Sequence, residues 1–419
     1  MIRFFTLTAA AALLHTTNAQ DFTYSSIEVE TATFAGPTLD IRKDDGSGIY
    51  ADGIPHYDVS ETEQEPVAYV SGTAPEISAN FTFMCADAPD SIWVMGVAPD
   101  GMNFPATKVE ITNVGAGEFE FSYPNTTADA GFTPDESRYF GPFSIGWDVS
   151  FDDGTTWRNA DSTKNVMYVT HDTPMSENSD FQHWRTIFDI SCRNTDGEST
   201  ESDIIAGIWT DFQDQEMLNW QGDSLKYYNP MYTFNTSLAS LLMFNNAQCY
   251  TFAKLFLATI KIQGIVRTNN YVYITPIGNT VCGNSVNRFL VKNWEFGTPS
   301  ASGECAAFPY KNTYTSLLPF PYTAYDFDTE DVTDQVGIYG QGSANPSSFF
   351  NNHQICYIDG VYYDPSYGVS FPTFDDIAPT AFDGWGYRYT IGWGPGSIKH
   401  CLFTDDLSES SLTSTTTTY

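Results

Sequence analysis

The hydrophobic pattern of the chain changes character near residue 173. Before that point apolar and polar residues alternate over short runs, the period of a half-buried strand. Ile77–Met84, Ser91–Val97, Lys108–Thr112, Phe119–Ser122, Phe143–Phe151 and Asn165–Val169 are rich in β-branched and aromatic residues and are separated by Gly, Pro and Asp. In Ile145–Phe151 large apolar residues occupy every second position. Asp152-Asp153-Gly154 then turns the chain toward Thr156-Trp157, a hairpin signal. Residues 61–173 therefore predict an all-β unit. Residues 20–60 have weak periodicity and many turn signals, Asp44-Asp45-Gly46 among them, and read as an N-terminal extension or part of that unit.

After Thr173-Pro174 the spacing becomes helical. Ile187, Ile190 and Ser191 share one face of a first segment, and Ile204, Ile205, Ile208 and Phe212 one face of a second. Thr236 or Ser237 caps a short helix with Leu238, Leu241 and Leu242 on one side. The run 245–248 breaks it, and a longer helix is expected from Cys249 to about Gln263, with Gly264 as its stop. Tyr271–Thr275, all β-branched or aromatic, predicts a strand. Residues 296–350 read as a long Gly/Pro-rich irregular loop that is functional or covers something. Asp405–Tyr419 reads as a Ser/Thr-rich tail, disordered or O-glycosylated. The expected fold class is multidomain: an immunoglobulin-like β-sandwich over 61–173, serving as spacer or docking module, then an α+β domain over 174–403 and the tail over 404–419.

Composition narrows the setting. Arg3, the apolar run Phe4–Leu14 and the small residues near Ala19 read as a signal peptide over residues 1–19. No later apolar stretch is long enough to span a bilayer, so a secreted or extracellular protein without a membrane span is expected. The net charge of −34 repels nucleic acid and anionic lipid. The many carboxylates leave calcium open, but no EF-hand loop occurs and no cofactor is expected. Export favours disulfides, and an odd count of seven cysteines leaves at least one thiol unpaired within the chain. Cys282–Cys305 and Cys356–Cys401 are two plausible pairs, but six cysteines allow about 15 pairings and the connectivity stays open. Asn80, Asn125 and Asn235 head N-x-S/T sequons.

Cys249 opens its helix with Phe252, Ala253, Phe256 and Ile260 on its own face, which sets it on the buried side at the helix N-terminus. That end carries N–H groups without helical partners and a positive dipole. Both favour thiolate over thiol and can hold an oxyanion as it develops on an attacked carbonyl. The competing reading is a small buried residue filling a gap, or half of a disulfide. A base comes from a second element. Residues 353–364 read as two strands joined by Asp359-Gly360. With Ile358 opposite Val361, Tyr357 faces Tyr362, Cys356 faces Tyr363 and Ile355 faces Asp364. His353 and Asp364 then share a face as diagonal neighbours, and Cys356 points the other way, as a structural residue. The carboxylate can bind one imidazole nitrogen and leave the other for the thiol. A surface His beside a surface Asp is the competing reading. No G-x-S-x-G, H-E-x-x-H or P-loop motif is present, and His183 and His400 lack ligand spacing and read as structural.

Taken in order, these blocks resemble the transglutaminase-like superfamily. Gln248-Cys249, Phe252-Ala253, Leu255 and Gly264-Ile265 are similar to its GQC…FA…L…GI pattern. His353, a strand, Asp359-Gly360, a return strand and Asp364-Pro365 are similar to its His-strand-turn-strand-Asp-Pro segment. The resemblance covers roughly residues 184–395. Asn246-Ala247 stands where the family has glycine, and Tyr250 where an aromatic, often Trp, follows the cysteine. The resemblance implies a papain-like α+β core and acyl transfer through a thioester on a protein or peptide amide. Cys249 would be the nucleophile, His353 the proton shuttle and Asp364 its orienting acid. It leaves the oxyanion side chain open among Asn245, Asn246 and Gln248. Release to an amine, as in a transglutaminase, or to water, as in a peptidase or deamidase, also stays open. So does a silent member of the fold that binds a surface or matrix partner.

Overall fold

The computed structural model describes residue 24 and residues 26–227, 237–268, 270–278, 280–281, 284–285, 287–291, 306–309, 311–312, 325–326, 339–343, 349–391, 398–404 and 410–417. The expected signal peptide, the Asn235 sequon, Cys282, Cys305 and most of the 296–350 segment lie outside these residues. Among the described residues no helix is long and apolar enough to cross a membrane.

Among the described residues ten strands precede residue 173: β1 (Glu28–Ala35), β2 (Tyr57–Asp58), β3 (Val67–Val70), β4 (Glu76–Met84), β5 (Ser91–Val97), β6 (Asn103–Glu110), β7 (Thr112–Gly115), β8 (Glu118–Thr127), β9 (Arg138–Ser150) and β10 (Arg158–Thr170). They form two five-stranded sheets, β2-β1-β4-β8-β7 and β3-β10-β9-β5-β6. Alternation along β4 and β9 puts one apolar face of each sheet inward, around a shared core. Trp147 sits fully buried there, edge-on to Phe81 and Tyr123. Five of the six strands expected from the pattern form; the expected Lys108–Thr112 run divides, since Lys108–Glu110 ends β6, paired with β5, and Thr112 opens β7, paired with β8 in the other sheet. β1 comes from the segment read as an extension. It pairs along β4, with Phe34 opposite Ile77, and a register shift between Val29 and Thr31 interrupts its alternation. Asn80 and Asn125 are exposed on β4 and β8.

The second half contains α1 (Arg185–Asn194), α2 (Glu201–Gln213), β11 (Lys226–Tyr227), α3 (Leu238–Phe244), β12 (Asn246–Ala247), α4 (Cys249–Lys261) and β13 (Tyr271–Gly278). Short strands follow: β14 (Thr280–Val281), β15 (Asn284–Ser285), β16 (Arg288–Val291), β17 (Ala306–Pro309), β18 (Lys311–Asn312), β19 (Tyr325–Asp326) and β20 (Phe349–Phe350). The chain closes with β21 (His353–Ile358), β22 (Val361–Asp364), β23 (Val369–Phe371), α5 (Ile377–Ala381), β24 (Phe382–Ile391), β25 (Ile398–Thr404) and β26 (Ser410–Thr417). Two larger sheets result, β23-β22-β21-β13-β26 and β17-β25-β24-β16-β20. The protein is thus β-rich, with several sheets and a helical cluster.

α4 is the centre of the second core. Every residue from Thr251 to Lys261 is buried, packed among α1, α2, α3 and β21. Apolar side chains on every side of the helix call for such an enclosure. The helix holds two buried lysines. Lys254 donates to Asp180 at 2.6 Å, and burial lowers the Lys261 ammonium to about 8 against the charge of the same Asp180. α1 joins the two halves. Phe188 stacks on Tyr168 of β10, so that sheet is covered on both faces. The N-cap residue of α1, Trp184, supplies no capping side chain; Asp44 instead accepts from the Thr186 amide at 3.3 Å and its hydroxyl at 2.5 Å. Burial raises that carboxyl to about 6, above its ordinary range.

Two expectations are corrected. The Ser/Thr tail is not structureless over residues 410–417: β26 pairs with β13 from Tyr271↔Thr417 to Gly278↔Ser410, and Leu412 touches the core. A run of threonines has β-forming side chains, and a sheet edge asks only for backbone groups, so low complexity did not prevent pairing. The segment 296–350 is also not uniformly irregular, since β17 pairs with β25 and β20 with β16.

Gly264 follows α4 at φ +80, and a Cβ there would lie 2.8 Å from Asp172 Cβ and 2.9 Å from the Thr173 carbonyl. Gly197 has a similar φ of +86 but open space. Gly264→Ala should therefore lower stability in urea unfolding by ~2 kcal/mol or more, and Gly197→Ala by about 1 kcal/mol. Equal losses would show that the approach of 172–173 to the helix end is not a constraint.

Candidate active site

The nucleophile candidate is delivered by a short relay of turns. α3 is capped by Ser237, whose hydroxyl accepts from the Ser240 amide at 3.1 Å, and it ends at Asn245 in the left-handed region, φ +52. The chain then enters β12, which pairs in parallel with β11, Lys226 beside Asn246 and Tyr227 beside Ala247. Gln248 is the extended N-cap of α4, and its carbonyl accepts from the Thr251 and Phe252 amides at 3.0 and 3.3 Å. Cys249 is the first helical residue. The amides of Cys249 and Tyr250 point out of the helix end, where helix geometry offers them no partner. Among the described residues Cys85, Cys192, Cys249 and Cys356 form no disulfide, and of these four Cys249 is the one that is not buried.

The second element forms with the register read from the sequence. Ile358 pairs with Val361, Tyr357 with Tyr362 and Cys356 with Tyr363, across a turn with Asp359 at φ +49 and Gly360 at φ +94. β13 flanks β21 on its other side, with Ile274 opposite His353. The diagonal contact is made: His353 Nε2 donates to Asp364 Oδ2 at 2.7 Å. Asp364 Oδ1 accepts from the Ser366 amide at 3.1 Å. With Nε2 engaged, the nitrogen left for the thiol is Nδ1, and the imidazole also interacts with the Cys249 side chain. The structure thus brings Cys249, His353 and Asp364 together.

The pair is dry. His353 is 2% exposed and Asp364 4%. Tyr227 and Tyr367 flank the imidazole, ring centroids 6.5 and 5.7 Å away. A cavity of about 10 Å³ lies beside it, walled by Ile274, Ile355, Val369 and Phe371. Burial alone would push the imidazole down. The Asp364 carboxylate and the Cys249 sulfur outweigh it and hold the imidazole up at about 10. The sign for stability follows. The linked contribution is whole below the ordinary histidine value near 6.5 and is lost as pH rises toward about 10. The imidazole thus lies between a carboxylate and a sulfur.

The oxyanion candidates separate. Asn245 is occupied by the fold, its carbonyl accepting from the Lys226 amide at 2.9 Å and its Oδ1 from Asn219 at 3.3 Å. Asn246 is buried in β12. Gln248 is half-buried and adjacent to Cys249 in sequence. Cys356 is buried and points away from the imidazole face, as expected, but carries no disulfide. Its thiol reaches the Ala253 carbonyl of α4 at 3.5 Å, so the expected bond to Cys401 is not formed: packing on α4 occupies that sulfur. Sequence reasoning did not single out Tyr227, Tyr367 or Ser366. Their only signal, aromatic or small residues near strand ends, is common in a chain that is 16% aromatic. Among the described residues no group of three or more His, Cys, Asp or Glu side chains is placed to hold a metal ion.

No family model matches the chain, and no curated protein matches it.

Exposure and the neighbouring imidazole single out one thiol. Iodoacetamide at mildly acidic pH should label Cys249 in the native protein, while Cys85, Cys192 and Cys356 should react only in denaturant, as read by peptide mass mapping. Labelling of the buried three at a similar rate would remove the case for a special cysteine.

Proposed function

We propose that the protein is a cysteine-dependent acyl-transfer enzyme acting on protein or peptide amides. In this reading it is an exported protein with an immunoglobulin-like sandwich ahead of a transglutaminase-like domain. The observation that carries it is the buried His353–Asp364 hydrogen bond of 2.7 Å beside a free, half-buried Cys249 at a helix N-terminus. In the first step the Cys249 sulfur attacks the amide carbonyl carbon, and the C–O electrons move to oxygen. The first-turn amides of α4 stabilise that oxyanion. The imidazolium of His353 gives its proton to the departing nitrogen, the C–N bond breaks, and a thioester on Cys249 remains. Water or a primary amine then attacks the thioester, giving its proton to His353, and the sulfur leaves. Asp364 keeps the imidazole in one orientation throughout.

The acidic chain favours encounter with cationic amines at low salt, which supports an amine as acceptor without excluding water. A second reading has one observation behind it. Both partners of Cys249 are almost wholly enclosed, as they would be in a silent fold that keeps its triad only for packing.

Incubation with a glutamine-bearing protein and a labelled primary amine, with and without calcium, separates these. Transfer predicts amine incorporation that falls at least ~10²-fold in Cys249→Ala and His353→Ala. Hydrolysis predicts ammonia or peptide release without incorporation, and the same losses. Indistinguishable wild type and Cys249→Ala across a broad substrate panel would sink both and favour the silent reading.

A further inference from the structure

We infer that Gln341 is a positioning residue that locks the acid end of the site to the strand delivering the nucleophile; the inference rests on the reading of Cys249, His353 and Asp364 given above. Gln341 lies in Gly340-Gln341-Gly342, far in sequence from every element it touches, and is wholly buried. Each of its polar groups is used. Its amide donates to the Ser366 carbonyl at 2.9 Å, and its carbonyl accepts from the Tyr227 amide at 2.6 Å. Its side-chain Nε2 donates to the carbonyls of Phe212 at 2.5 Å and Pro365 at 3.0 Å, and its Oε1 accepts from the Met217 amide at 3.4 Å.

These contacts fall on both ends of the site. On one side, Ser366 is held through its carbonyl by Gln341 while its amide binds Asp364 Oδ1, whose other oxygen binds His353. On the other side, Tyr227 lies beside Ala247 in the two-strand pair, two residues before Cys249, and its ring flanks the imidazole. One residue thus bridges the turn that aims the carboxylate and the strand that aims the sulfur. Asparagine lacks the reach, and an aliphatic side chain would leave the Met217 amide and the Phe212 and Pro365 carbonyls buried without this partner. The neighbouring glycine serves the same close fit. Gly342 has φ +55, and a Cβ there would collide with Ser224 and lie 2.9 Å from the Leu225 carbonyl.

The test is the pH profile of Cys249 alkylation by iodoacetamide, followed by mass spectrometry, in wild type, His353→Ala, Gln341→Ala and Gln341→Glu. The site reading predicts fast alkylation of wild type at pH 5–6 that is lost in His353→Ala. Absence of that limb in wild type defeats the site reading itself, and the inference with it. Where wild type shows it, the inference predicts at least a tenfold loss at pH 5–6 in a natively folded Gln341→Ala, with recovery toward the wild-type rate above pH 8. A structural role alone would lower stability and leave the profile in place. Gln341→Glu keeps the volume and the acceptor for Met217, and should fall between the two. Coincident profiles for folded Gln341 variants and wild type overturn the inference. Hydrogen exchange in the unmodified protein covers variants that fail to fold. The amides of Tyr227, Gln341 and Ser366 should open together, and independent, faster opening at Gln341 overturns the inference.

Discussion

The hydrogen bond from His353 to Asp364 is the constraint around which the second half is arranged. An ionised carboxylate and an imidazolium taken out of water each cost several kcal/mol unless neighbours satisfy them. Here the satisfaction comes from three sides. Asp364 takes the imidazole on one oxygen and the Ser366 amide on the other, and the imidazole's remaining nitrogen is left for the sulfur of Cys249. Aromatic and aliphatic walls bury the pair, and the low local dielectric strengthens every one of these interactions. The same enclosure makes half an arrangement worse than none. The turn 364–368, the strand pair β11–β12 and the start of α4 are therefore positioned together.

α4 carries the mechanical side of that arrangement. Its buried circumference fixes the axis, and the close approach of residues 172–173 at Gly264 fixes its far end. Its near end is set by the αL turn at Asn245 and the extended Gln248. The sandwich enters through α1, whose N-terminus is capped by Asp44 from a segment between β1 and β3. Residues early in the chain thus help to seat a helix that packs against α4.

What could be read from the sequence was what local chemistry decides. A two-residue turn at Asp359-Gly360 sets Ile358 opposite Val361, and in that register His353 and Asp364 are diagonal neighbours. The start of α4 at Cys249, its stop near Gly264 and the alternation in β4 and β9 are likewise local. What could not be read depends on contacts across long separations. β1 hides behind a bulge, and the Thr-rich β26 needs the edge of β13 to become a strand. Gln341 and Tyr227 acquire their places only once residues more than a hundred apart in the chain meet. The Cys356–Cys401 pairing failed for a related reason: spacing says nothing of the helix backbone that engages the Cys356 thiol.

The central claim is that Cys249, His353 and Asp364 form one electrostatic unit. The most direct measurement is a histidine-selective NMR titration of His353 in the whole protein, compared with Asp364→Asn and Cys249→Ala. The account predicts an imidazole still protonated above pH 8 in the wild type, with the titration moving down in each variant, further in Asp364→Asn. A His353 that titrates near its ordinary value of about 6.5 in all three proteins would contradict it.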